Sequence, residues 1–336
     1  MEFEESEEQD IKFYTTEDVF YNPHMELSRT LSSLLVGALE ENLRVVDGMA
    51  ASGIRGMRYK KENGNVENVA FVDVYTKAVE CIKKGIAANK IKAHIFKSDI
   101  NRFLFNSTNE YNFIELDPFG TPTPHAYFAV RALRNLKTGY ISITATDTAV
   151  LCGAHKKACL KNYHSKPLRN YFCHETGLRI LINHIARIAH EFNLGIVPLF
   201  SFYYRHQMKT IMKLEKGGKK ADENLNHVGC INFCPSCLNT TYGKTMAYKH
   251  PQNPPSTALS PPQPTSYNPP PHSSPYPKTT PPPILIKTFH YHSHSSHFHP
   301  LPILYNPSLL QIASFPPLPT PLQYTSHQSQ PLPFLS

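Results

Sequence analysis

Short runs of β-branched and aromatic residues alternate along the chain with stretches whose apolar positions recur every three or four residues. That alternation predicts an α/β domain with a mostly parallel sheet and flanking helices. Asn22-Pro23 reads as a helix start, because proline fits the first turn, where its missing N–H costs nothing. Leu27, Leu31, Leu34, Leu35, Ala38 and Leu39 then predict the buried face of that helix. Residues 44–46, 69–72, 93–96, 112–116 and 140–144 predict five strands in succession. Thr76 is the predicted cap of a helix whose Val79, Ile82 and Ile86 share a face, and residues 127–133 predict another between the fourth and fifth strands. A long helix is expected after Thr176, striped by Leu181, Ile185, Ile188 and Phe192. Residues 197–203 and 209–214 then predict a closing antiparallel pair, and no repeat of 20–50 residues interrupts the pattern.

Composition divides the 336 residues. No acidic residue follows Glu223, no glycine follows Gly243, and 23 of the 30 prolines lie from Pro251 onward. One sizeable core is expected over residues 1–225, a short second segment over 226–247, and a Pro/Ser/His-rich disordered tail over 248–336, whose composition buries too little to offset ordering entropy. The abruptness of the change is what translation into non-coding or out-of-frame sequence would give. The other readings of the tail are a ligand for proline-binding modules, at Pro261 to Pro264 or Pro316 to Pro319, and a metal scavenger built on His290, His292, His294, His297 and His299.

The net charge is +8, but the first 223 residues carry 30 basic against 26 acidic groups, a mild excess that permits nucleic-acid binding without demanding it. Seven scattered cysteines imply free thiols or a metal site, not a disulfide framework. No apolar run approaches the roughly 18–20 residues that cross a bilayer, and the acidic N-terminus has no apolar h-region. An intracellular protein is expected: in the nucleus or a mitochondrion of a eukaryote, otherwise in the cytoplasm, with no membrane partner and no obligate protein partner.

The candidate chemistry follows the strand ends. The first strand runs into Asp47-Gly48-Met49-Ala50-Ala51-Ser52-Gly53, where small residues let the backbone turn tightly and approach a ligand at a helix N-terminus. Asp73 ends the second strand, a position suited to the two hydroxyls of a ribose. Asp99 follows the third strand and Asp117 the fourth, so four acids are expected along the carboxyl edge of the sheet, where open α/β sheets bind ligands. Asp117-Pro118-Phe119-Gly120 resembles the Asp/Asn-Pro-Pro-Tyr/Phe element of enzymes that methylate exocyclic amines of bases. An aryl amine is a poor nucleophile, and a carboxylate with the carbonyls of a stiffened turn can accept its hydrogens while an aromatic ring stacks on the base. A plain Pro-Gly turn with Phe119 in the core is the structural alternative.

In order along the chain, Phe20-Tyr21-Asn22-Pro23, Ser28-Arg29-Thr30, residues 51–59 and residues 117–122 resemble the tRNA (guanine(26)-N2)-dimethyltransferase family. Thr144-Ala145-Thr146-Asp147, residues 151–155 and residues 173–179 match later motifs of the same family. The resemblance runs from about Phe20 to Cys237. It implies a class I methyltransferase fold over residues 1–225 that uses S-adenosyl-L-methionine to methylate, once or twice, the 2-amino group of a guanine in tRNA. It further implies Arg29, Arg55, Asp73, Asp99 and Ile100 at the cofactor and Asp117 with Phe119 at the base. Arg55, just past the glycine turn, is also well placed by its chemistry to pair with a carboxylate. Arg58, Lys60 and Lys61 are candidates for phosphate contact or simply a solvated basic run.

Two departures from the family pattern stand out. The family has Asn-Arg-Asp where this chain has Ser28-Arg29-Thr30, so an acid that would orient the arginine is missing. Cys234-Pro235-Ser236-Cys237 looks like half of a zinc ribbon without its second half, with Cys230 as a further donor, and a closed zinc site needs four ligands. A weakened methyltransferase whose RNA-holding domain is lost or replaced is therefore expected. The alternatives are a methyltransferase-fold protein that binds cofactor or tRNA without turnover, and a nicotinamide-dependent oxidoreductase, which the missing G-x-G-x-x-G disfavours.

Overall fold

The computed structural model describes residues 2–234, 238, 240–243 and, as backbone, 301–304. The chain opens with a hairpin, β1 (Glu4–Glu8) and β2 (Ile11–Thr15), followed by a 3-10 turn (Pro23–Met25) and α1 (Glu26–Gly37). The central units are β3 (Leu43–Gly48), α2 (Ile54–Glu62), β4 (Val66–Asp73), α3 (Thr76–Ala88), β5 (His94–Lys97) and α4 (Ile100–Asn106). They continue with β6 (Phe113–Leu116), α5 (Thr123–Leu133), β7 (Thr138–Ala145), α6 (Thr148–Leu151) and α7 (Lys156–Tyr163). The long α8 (Cys173–Glu191) leads into β8 (Leu194–Tyr204), β9 (Gln207–Lys216) and α9 (Gly218–Leu225). A second sheet holds β10 (Val228–Phe233) between β11 (Thr240–Gly243) and β12 (Leu301–Leu304).

The main sheet has seven strands in the order β5-β4-β3-β6-β7-β9-β8, parallel from β5 to β7 and antiparallel at β9 and β8. Successive residues feed opposite faces. Val45, Phe113, Tyr140 and Ile211 pack beneath α1, α2 and α3, while Val46, Ile114, Ile141 and Met212 pack beneath α4, α5 and α8. Both faces are covered, which is why these strands read as continuous apolar runs. The strand order reverses between β3 and β6, so the loops leaving their carboxyl ends splay apart and open a crevice at that edge.

The five parallel strands, the α3 stripe and the closing pair lie where the sequence pattern places them, with ends shifted by up to a few residues. Three expectations are corrected. The buried face expected of α1 is right only in part: Leu35 and, just past the helix, Leu39 pack half-buried against the core, but Leu27 and Leu34 are 47% and 63% exposed, and Ser28, Arg29, Ser32, Ser33 and Val36 are buried. That inner face is satisfied by hydrogen bonds, with Gln207 Nε2 donating to Ser28 Oγ and Asn63 Nδ2 to Ser33 Oγ. Small serines let α2 approach α1 closely, which leucines in the same positions would prevent. Tyr75, not Thr76, is the N-cap residue of α3, without a side-chain cap bond. The long helix begins at Cys173, a turn earlier than expected.

The β1–β2 hairpin was not legible as an element. It buries Ile11 and Phe13 against the sheet's helical layer, and Asn89 at the end of α3 exchanges two hydrogen bonds with the backbone of Lys12. Of the expected tail, residues 301–304 pair with β10, and the rest lies outside the described residues, as does Cys237 of the Cys-x-x-Cys. Among the described residues no helix is long and apolar enough to cross a membrane.

Candidate functional site

A cavity of about 480 Å³ opens at the carboxyl edge of the sheet, over the switch between β3 and β6. Asp47, Asp73, Asp99 and Asp117 all line it, one from the end of each of four parallel strands, together with Arg29, Arg55, Ile100 and Phe119. Every residue expected at the site is thus brought to one crevice, whose volume is within the range of small-molecule and cofactor pockets.

The floor is the loop after β3. Met49, Ala51 and Gly53 have φ of +57°, +49° and +77°, and two non-glycine residues held in the left-handed region mark backbone fixed by its surroundings. Asp73 does some of that fixing: Oδ2 accepts from the Ala51 N–H at 2.9 Å and Oδ1 from the Tyr75 N–H at 2.9 Å. Each carboxylate oxygen keeps further lone-pair capacity on the cavity side. Asp99 caps α4, accepting from the Arg102 N–H at 3.0 Å, and Ile100 behind it is buried.

Under the floor lies a buried charge cluster. Asp47 and Glu115 face each other across the parallel β3–β6 pair. Glu115 is fully buried and accepts from Tyr59 Oη at 2.8 Å and from the buried Lys209 of β9. Lys209 Nζ also donates to Thr144 Oγ1 at 3.0 Å. Arg55 reaches over this cluster, its Nε 3.7 Å from Glu115 and its Nη2 donating to Asp117. Its Nη1 is buried without a hydrogen-bond partner. Burial raises the Asp117 carboxyl, but the positive charges of Arg55 and Lys209 outweigh that and hold it below the usual carboxylate range. Asp117 is therefore an anion at neutral pH.

Asp47 goes the other way. Burial, then the Glu115 charge beside it, push its carboxyl from 3.8 up to about 8 against the pull of Arg55 and of the Gly56 N–H. Gly56 is required for that contact, since a Cβ there would lie 2.7 Å from Asp47 Oδ2 and 2.6 Å from the Phe71 ring. Because the folded pKa lies above the unfolded one, the folded protein keeps a proton that the unfolded chain releases. The contribution of Asp47 to stability is full below about pH 4 and is lost as pH rises toward about 8. Asp47→Asn keeps the acceptor for Gly56 and removes the titration. Urea unfolding from pH 5 to 8 is expected to show the wild type losing stability relative to this variant by up to about 1.4 kcal/mol per pH unit; parallel stability curves would contradict it.

The turn at residues 117–120 closes the cavity. Gly120 has φ +76°, a conformation that glycine adopts without strain, and its N–H and C=O are both held by Thr146. Phe119 is not in the core: it is 76% exposed and meets Phe20 edge to face, with centroids 4.9 Å apart. Phe20 is 54% exposed. Two solvent-facing aromatics beside a carboxylate at a cavity mouth form a surface on which a planar ring can stack.

Arg29 corrects one expectation. It is buried, and its orienting acid is present, supplied by the hairpin instead of by the residue after it. Arg29 Nε donates to Glu8 Oε1 at 2.8 Å, and the same buried carboxylate accepts from Arg58 Nη1 at 2.8 Å. Arg58 also pairs with Glu62 and donates to Thr30 Oγ1. Arg58 is thus unavailable to phosphate, and Lys60 Nζ is bound to the carbonyl oxygens of Val66 and Glu67. Sequence reasoning names as site residues neither Phe20, which lines the cavity, nor Glu8, Glu115 and Lys209, which hold Arg29, Arg55 and Asp117 from behind it. A charged side chain inside an apolar strand run was the available signal for Glu115 and Lys209; Glu8 sits among other acids and carried none.

The family model for N2,N2-dimethylguanosine tRNA methyltransferases matches residues 2–259. The tRNA (guanine(26)-N(2))-dimethyltransferase of Methanobrevibacter smithii is 36% identical over 238 residues, covering 69% of this chain and 61% of the relative. The tRNA (guanine(26)-N(2)/guanine(27)-N(2))-dimethyltransferase of Aquifex aeolicus is 36% identical over 229 residues, covering 66% of this chain and 58% of the relative. Among solved structures, Trm1 from Pyrococcus horikoshii in complex with S-adenosyl-L-methionine superposes with a TM-score of 0.68 at 33% identity, over 74% of this chain and 71% of that one. The chain spans about three fifths of the length of the curated relatives it matches.

Proposed function

The chain belongs to the N2,N2-dimethylguanosine tRNA methyltransferase family, and on that footing we propose that it transfers one or two methyl groups from S-adenosyl-L-methionine to the exocyclic N2 of guanine 26 in tRNA. The observation that carries the reading is the convergence of Asp73, Asp99, Arg55 and the Asp117-Pro118-Phe119-Gly120 turn on one cavity at the sheet's switch point.

The cavity fits the cofactor. The buried Nη1 of Arg55 lacks a partner, and an unpaired buried donor is costly unless a ligand acceptor, here the amino-acid carboxylate, completes it. Asp73, anchored by two backbone N–H groups, has lone pairs for two ribose hydroxyls, and Asp99 with Ile100 borders the adenine end. Arg29, fixed by Glu8, adds positive charge to the same wall. When bound, the cofactor supplies an electrophilic methyl group on a sulfonium.

The chain's own residues then act on the base. Phe119 and Phe20 hold the guanine ring at the mouth, and Asp117 accepts a hydrogen bond from the 2-amino group. That bond fixes the direction of the nitrogen lone pair. A strongly basic residue is not needed, because the proton is released from nitrogen only after methylation has made it acidic, so a carboxylate held low by Arg55 still suffices. Incubation with unmodified tRNA and S-adenosyl-L-methionine, followed by nucleoside digestion, is expected to yield N2-methylguanosine and N2,N2-dimethylguanosine. A digest containing neither would overturn the reading.

A further inference from the structure

Two segments of the chain, residues 151–155 and 173–179, do not line the cavity. Cys152 directly follows α6, and Cys173 and His174 are the first two residues of α8. Their side chains nonetheless meet: the two thiol sulfurs and an imidazole nitrogen all lie within 4.8 Å of one another, and all three residues are half-buried. We propose that Cys152, Cys173 and His174 supply three ligands to a soft divalent cation, zinc under cellular conditions, with a solvent molecule as the fourth, and that it ties α6 to the first turn of α8.

The donor set selects the metal. Two thiolates and one imidazole suit zinc and discriminate against magnesium and calcium, which take oxygen ligands. Zinc bonds of about 2.3 Å to sulfur and 2.0 Å to nitrogen put tetrahedral ligand atoms roughly 3.5–3.8 Å apart, inside the 4.8 Å that bounds the present separations. The His174 ring is stacked on Tyr203 with centroids 3.7 Å apart; stacking uses its face, and a metal bond uses its edge.

The site also has something to hold. α6 is four residues long, too short to persist by its own hydrogen bonds, yet the residues just before it position the catalytic turn. Thr146 holds Gly120, and Asp147 accepts from Tyr163 Oη, which also accepts from Thr121 Oγ1. A cation joining Cys152 to α8 would brace that segment from its far side.

Cobalt(II), a spectroscopic substitute for zinc, tests the site on the full chain, reduced and metal-free, in a Cys234→Ser/Cys237→Ser background that silences the other cysteine pair. One equivalent is expected to bind with thiolate-to-cobalt charge-transfer absorption and to be displaced by zinc. Adding Cys152→Ser or Cys173→Ser, with folding checked by circular dichroism, is expected to abolish the charge-transfer bands; His174→Asn is expected to keep them and weaken affinity tenfold or more. Absence of the bands in the Cys234→Ser/Cys237→Ser background, or their persistence in Cys152→Ser, would overturn the proposal.

Discussion

Asp117→Asn is expected to lower methyl transfer by about 10²–10⁴-fold, the range for removing a positioned acid–base group, while cofactor affinity changes by less than tenfold. The asymmetry follows from the geometry. Asp117 is half-buried at the cavity mouth and its carboxylate is held anionic by Arg55 and Lys209. An amide of the same shape presents one acceptor and one NH₂, and the NH₂ cannot accept from the guanine amine. Arg55 loses one anionic partner but keeps Glu115 beside Nε, and a bound carboxylate meets a guanidinium with one competitor fewer. Calorimetry with S-adenosyl-L-methionine and single-turnover transfer to tRNA separate the two quantities. Transfer within threefold of wild type would remove Asp117 from the chemistry.

The second large effect is on stability. Glu8→Ala is expected to destabilise the fold by about 3–5 kcal/mol, because it leaves the buried Arg29 and Arg58 guanidiniums without the carboxylate they share. Burial raises the Glu8 carboxyl, but its two arginine partners overcome this and hold it below its ordinary value of 4.5. A depressed folded pKa stabilises above the unfolded value and loses that stabilisation as pH falls through the folded one. The gap between wild type and Glu8→Ala is therefore full at neutral pH and narrows below about pH 4.5. Denaturant unfolding at pH 7 and pH 4 measures both; a loss under 1 kcal/mol at pH 7 would show that the cluster relaxes without its acid. Cofactor affinity is expected to fall as well, since Arg29 lines the cavity.

The parts of the fold that periodicity determines were legible. Strands buried on both faces must be apolar, and the acids at their carboxyl ends, Asp47, Asp73, Asp99 and Asp117, stand at the transitions from strand to loop, where the pattern breaks. What remained hidden depends on partners distant in sequence. Serines look like surface residues until Gln207 and Asn63 are seen to bond them, so the buried face of α1 is turned from the leucine stripe toward Ser28, Ser32 and Ser33, with Leu35 at its margin. Arg29 looked unsupported because its acid lies 21 residues upstream in a hairpin whose acidic strand carries no hydrophobic signal. Lys209 and Glu115 are 94 residues apart, and neither explains the other until the sheet closes.

The most direct test of the central claim is methyl transfer from labelled S-adenosyl-L-methionine to two otherwise identical tRNAs, one with guanosine and one with inosine at position 26. Inosine keeps the purine ring and its stacking but lacks the 2-amino group that Asp117 is placed to hold. Incorporation into the guanosine tRNA and none into the inosine tRNA is the expected result. Equal incorporation into both, or none into either, would contradict the assignment of this cavity to guanine N2.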